Sequence, residues 1–203
     1  FSFCIIFGQT EAHLVNNARF AQVMYNSRYQ GFTPPTRPTV YSETSQGEVR
    51  IYWDDRAESS RDVVTGYADF EGYKIFKSMD GGSSWGEADD MIYDTDGIFA
   101  GWRPFRQFDL SAEEDSLHCI YSSNPSDCAD DPMQQRGHGI KGGDPYFPWF
   151  SLGDDTGLDA IRLDDLKIIE GDTMKYMFID NDVIDGLEYT YSVVAYDMGV
   201  EPP

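Results

Sequence analysis

The chain has 203 residues, 40% of them hydrophobic and 15% aromatic, enough apolar material to fill the core of one elaborated domain or of a domain with a small satellite. Thirty-six acidic residues against fifteen basic give a formal net charge of -21, and a field of that sign repels phosphate backbones and anionic headgroups, so nucleic acid is excluded as an expected partner. No stretch approaches the ~20 apolar residues of a membrane helix, and no membrane span is expected.

Residues 1–7, Phe-Ser-Phe-Cys-Ile-Ile-Phe, are rich in aromatic and β-branched side chains and end at Gly8. They read as a β-strand, with Phe1, Phe3, Ile5 and Phe7 at two-residue spacing. The run is also short enough to be the tail of a signal peptide's apolar region, and a start without Met suits a processed chain or a fragment. Leu14, Val15, Ala18, Ala21, Val23 and Tyr25 then recur with a helical period behind Thr10 as cap and Glu11 in the first turn, which predicts a short helix over 12–25. Three prolines at 31–38 mark a linker. Residues 1–36 are thus a lead of strand, helix and linker, and 37–203 the main domain.

A first strand is expected over 39–43 and a second over 48–53, where Val49, Ile51 and Trp53 alternate inward. The polar stretch 54–62 reads as surface loop. A third strand over 70–78 puts Tyr73 and Ile75 on one face. Ser78-Met-Asp80-Gly-Gly82-Ser-Ser-Trp85 matches the Asp-box pattern, a hairpin whose aspartate bonds turn amides above a packed tryptophan. One copy is a turn device, since a propeller would repeat it at a blade-like period. Near the other end of the chain, Tyr189, Tyr191, Val193 and Ala195 line one face of a strand.

The spacing Phe178-x-Asp180-x-x-Val183-x-x-Gly186-x-x-Tyr189-x-Tyr191-x-Val193-x-Ala195-x-Asp197 resembles the E strand, turn and F strand of fibronectin type III domains from secreted bacterial proteins. Val49-x-Ile51-x-Trp53 looks like the core anchor of their B strand. The resemblance covers 38–85 and 176–197, about a third of the chain. It implies a mainly β fold, an antiparallel fibronectin type III-like sandwich with a short N-terminal helix and a long irregular insertion at 86–173. It also implies an extracellular or cell-surface location and a role in adhesion, scaffolding or assembly, although a fold alone licenses no activity.

The insertion is too long for an ordinary connection and reads as a subdomain of short strands lying over one sheet, with a little helix at 111–116. Asp89, Asp90, Asp94 and Asp96, in a turn ending at Gly97, are candidate ligands for calcium, the one cofactor for which the sequence offers oxygens. Ile92 and the lack of a closing glutamate depart from a full calcium loop. Asp154, Asp155 and Asp159 form a second acidic cluster. Cys119 and Cys128 bracket a loop that a disulfide can close, which suits an oxidising compartment, and Cys4 is left over. His118 and His138 lie near them without the paired spacing of a zinc site. Trp102, Tyr146, Phe147 and Trp149 would stack on sugar rings if exposed, so a carbohydrate-binding module is the alternative to an assembly module; burial in the insert's own core is their other fate. No nucleophile elbow, phosphate-cradling loop or dinucleotide fingerprint occurs, and the chain is not expected to be an enzyme.

A fibronectin-like sandwich has a seventh strand after F, for which Val200-Glu-Pro-Pro203 is too short and too proline-rich. The expectation is an incomplete sheet, filled by the strand at 1–7 or by a segment beyond Pro203 in a longer precursor. Filling by a neighbour's strand would join copies of the chain, or other surface proteins, head to tail into a filament or layer.

Overall fold

The computed structural model describes residues 5–26, 33–62, 68–117, 142–143, 149 and 151–197. One helix, α1 (Glu11–Asn26), precedes a mainly β body. It starts where the cap was expected, because the Thr10 hydroxyl accepts the His13 amide at 3.2 Å. The strands are β1 (Val40–Ser45), β2 (Glu48–Trp53), β3 (Phe70–Ser78), β4 (Met91–Tyr93), β5 (Phe99–Trp102), β6 (Arg106–Asp109), β7 (Gly142–Gly143), β8 (Ser151–Gly153), β9 (Arg162–Ile169), β10 (Asp172–Asp180) and β11 (Thr190–Asp197). A short helix α2 (Ala112–Leu117) follows β6.

Two antiparallel sheets face each other, ordered β1-β2-β10-β9 and β11-β3-β6, with two-stranded β4-β5 and β7-β8 beside them. The inward parity read from the sequence holds: Val49, Ile51, Trp53, Tyr73, Ile75, Val193 and Ala195 are all buried in one core. At its centre the Trp53 ring meets Tyr73 edge-on at 5.6 Å and stacks on Tyr176 at 5.8 Å, so both sheets share one aromatic cluster. Trp53 Nε1 is buried with no hydrogen-bond partner. That costs about 1–3 kcal/mol, less than the roughly 4–6 kcal/mol from burying a Trp-sized apolar area, so packing wins.

The described part of the insertion does not lie over one sheet. It supplies β6 to one sheet and β9 to the other, and Leu110, Leu158 and Ile161 to the common core. Its pairing with the flanks depends on close approach at Gly72, where a Cβ would stand 2.3 Å from the Phe108 carbonyl oxygen. The β9-β10 hairpin turns at Glu170 and Gly171, with φ of 51° and 97°, the left-handed pair that a tight two-residue turn requires. Residues 54–62, expected on the surface, are partly swallowed: Ala57 is fully buried and Asp54 and Asp62 nearly so. The reason is polar satisfaction, since Glu58 reaches back to accept the Tyr176 hydroxyl at 2.5 Å and the Lys175 ammonium at 2.8 Å.

Candidate functional site

Two features stand out, a charged clamp between the sheets and an open sheet edge beside it. Lys77 follows Tyr73 and Ile75 at inward parity on β3, and Asp180 follows Tyr176 and Phe178 at inward parity on β10. Their side chains meet at 2.8 Å, with Asp180 only 2% exposed. Tyr191, directly across from Lys77 on β11, donates its hydroxyl to the same carboxylate at 2.6 Å, and the Asp182 amide donates to the other oxygen at 2.9 Å. The Lys77 ammonium also donates to the Asp182 carbonyl and lies against the rings of Tyr189 and Phe105 at 4.7 and 5.0 Å. Burial alone would raise the Asp180 carboxyl, but the Lys77, Tyr191 and Asp182 bonds outweigh it and hold the group below its ordinary value. Burial and the Asp180 carboxylate together push the Tyr191 phenol up. Tyr189 completes the turn by accepting the Ile184 amide at 3.0 Å.

A second buried carboxylate, Asp109 on β6, binds residues 154–156. It accepts the Asp155 amide at 2.7 Å, the Asp154 amide at 2.9 Å, the Thr156 amide at 3.3 Å and the Thr156 hydroxyl at 2.6 Å. These acids are spent as acceptors for neighbouring elements.

The edge is the far side of β11. This strand pairs with β3 along its whole length, and among the described residues nothing pairs with its other side. β11 contains no proline, and its one charged residue is Asp197 at its end. The other outer strands are guarded. β1 carries Glu43, β9 carries Arg162, Asp164, Asp165 and Lys167, and β6 carries Arg106.

Of the residues singled out in the sequence, Asp89 and Asp96 are exposed and Asp90 and Asp94 half-buried. Asp90 accepts the Glu87 amide at 2.9 Å, and Asp94 accepts the amides of Asp96 and Ile98 at 2.9 and 2.8 Å. Asp154 and Asp159 are exposed, and no group of three His, Cys, Asp or Glu able to hold a metal ion occurs among the described residues. Trp102 on β5 meets Phe99 edge-on at 5.5 Å, and Phe99 meets Tyr93 the same way at 6.2 Å. Trp149 is half-buried ahead of β8. Ile5 and Phe7 are 70% and 80% exposed and belong to no strand, since residues 5–8 are not in a sheet. Phe1, Phe3, Cys4, His118, Cys119, Cys128, His138, Tyr146 and Phe147 lie outside the described residues.

In the turn after β3, Asp80 accepts the Ser84 amide and the Ser78 hydroxyl, each at 2.8 Å, while Trp85 packs edge-on against Phe76 at 6.2 Å. Those bonds lower the Asp80 carboxyl to about 2, with the Ser84 amide the largest cause. No family model, curated protein or solved structure matches this chain.

Proposed function

We propose that this chain is a non-catalytic structural module of an extracellular or cell-surface assembly, built on a fibronectin type III-like sandwich. The strand order supports the likeness: β1-β2-β10-β9 corresponds to the A-B-E-D sheet of immunoglobulin-like sandwiches, and β11-β3 to their F-C pair. Tyr189, placed just before β11 with its hydroxyl on a backbone group five residues upstream, has the position of a tyrosine corner. A single observation carries the functional reading. The buried carboxylates Asp109 and Asp180 are each committed to several donors that tie elements together, while β11 is an outer strand whose one charged residue is Asp197 at its end.

A sugar-binding platform needs ring faces in one plane. The interplanar angles of 70° and 75° along Trp102, Phe99 and Tyr93 turn those rings edge-on to one another instead, so the glycan reading is the weaker of the two. The test is protease shaving of intact source cells followed by detection of the chain. Release or cleavage at the surface is expected; full protection until the cells are lysed overturns the proposal.

A further inference from the structure

We infer that the β4–β5 hairpin docks a basic polypeptide segment, one in which Lys or Arg alternates with apolar residues; this rests on the structural-module reading and names the chemistry of the module's partner. Among the described residues β4 and β5 pair only with each other and stand outside the two main sheets. A two-stranded ribbon is marginal on its own. This one is fixed by local bonds: the Asp94 amide donates to the Ile98 carbonyl at 2.9 Å, the Asp94 carboxylate accepts the amides of Asp96 and Ile98, and the Arg103 amide donates to the Asp90 carbonyl at 2.7 Å. A preformed hairpin loses little conformational freedom on binding.

Its closed end is apolar and exposed. Ile98 is 64% exposed, Tyr93 49% and Phe99 44%, and Tyr93 and Phe99 are partners in the hairpin register. One exposed apolar side chain is ordinary, whereas three at one end of a hairpin make a contact patch.

Charge selects the occupant. Six carboxylates and no Lys or Arg occur from Ser78 to Trp102. Asp89 and Asp96 are exposed, and among the described residues neither carboxylate makes an ion pair. The rings give a second, independent sign. Tyr52, Phe105, Tyr176, Tyr189 and Tyr196 each have a Lys or Arg of this chain over the ring, at 4.0 to 5.8 Å. Tyr93, Phe99 and Trp102 have no such cation among the described residues, so ring faces beside carboxylates are left for a partner's Lys or Arg. A second copy of the chain, at -21, brings the same sign to this end and is repelled.

Fluorescence anisotropy of a labelled peptide alternating lysine and phenylalanine, with the amide resonances of 93–99 followed in parallel, tests this on the full chain. The peptide should bind, move those resonances, and be released as salt is raised to about 1 M, where screening reaches within roughly 3 Å. Ile98→Lys should weaken binding by about tenfold or more. Ile168→Lys, adding the same charge at a β9 side chain 74% exposed, should bind as the parent does. Asp89→Asn/Asp96→Asn should weaken binding and flatten its salt dependence. The Asp96 and Ile98 amides, both bonded to Asp94, report whether the hairpin persists in each variant, and where Ile98→Lys loses it the Asp89→Asn/Asp96→Asn result decides. A parent that does not bind overturns the inference, as does equal binding of a glutamate–phenylalanine twin, or equal weakening by Ile168→Lys. Resonances at 93–99 that move with the chain's own concentration overturn it too, by making a second copy the occupant. Any of these, together with surface release on protease shaving, removes the basic partner and leaves the module reading standing.

Discussion

Replacing Lys77 by Met removes the cation of the inter-sheet clamp while keeping most of the side-chain volume. It leaves a carboxylate only 2% exposed between the two sheets, with the Tyr191 hydroxyl and the Asp182 amide as its remaining donors. Breaking a buried pair by deleting one partner costs about 3–5 kcal/mol, and two surviving donors place this case near 3. In a domain of this size that lowers the melting temperature by about 6–12 °C. The pH dependence is more diagnostic. In the parent, the Asp180 carboxyl lies below its unfolded value of roughly 3.9, so its pairing contributes stability that is whole above about pH 4 and lost as pH falls through the folded value. In Lys77→Met, burial is no longer opposed by a cation and the carboxyl rises above the unfolded value. The penalty for keeping it charged is then full at pH 7 and is relieved on acidification. Urea unfolding of parent and variant at pH 7 and pH 4 should show a difference that shrinks toward pH 4. A loss below ~1 kcal/mol at pH 7, or an equal loss at both pH values, would refute the buried-pair reasoning.

Asp109→Ala should cost about 2–4 kcal/mol in urea unfolding and speed amide exchange at 154–156, because three backbone donors lose a buried acceptor; unchanged exchange there would show that the loop is held by something else. Asp80, lowered to about 2, should hold the turn after β3 fully above about pH 4 and release it as pH falls toward 2, read from the Ser84 amide resonance. Asp80→Asn should abolish that acid dependence, and a titration that persists in the variant would assign it to another group. Because Asp90 and Asp94 already accept backbone amides within their own turns, a chelator is expected to leave the thermal transition where it is. A drop of several degrees would restore Asp89, Asp90, Asp94 and Asp96 to a metal-binding role.

The sandwich was legible because two-residue alternation is a local signal: Val49-x-Ile51-x-Trp53 and Tyr191-x-Val193-x-Ala195 carry their own face assignment. The clamp was readable by the same parity and was missed. Lys77 and Asp180 are charges at inward positions of two strands, and an inward charge calls for a buried partner. Asp109 gave no such sign, since its partners lie 45 to 47 residues downstream and local spacing cannot reveal them. Residues 54–62 misled for a related reason. Their polarity reads as solvent exposure, yet Glu58 is the acceptor that lets the Tyr176 hydroxyl, more than a hundred residues away, sit beside the core. The strands contributed by the insertion were hidden because charges at the β9 edge and the brevity of β6 erase the alternation that marks longer strands.

Hydrogen exchange along β11, measured residue by residue on a dilute monomeric sample, bears most directly on the open edge. Alternate amides in 190–195, those bonded to β3, should be protected, and the intervening ones should exchange as fast as solvent-exposed amides. Uniform protection of the whole segment in the monomer would mean that another segment already covers this side and would contradict the open edge.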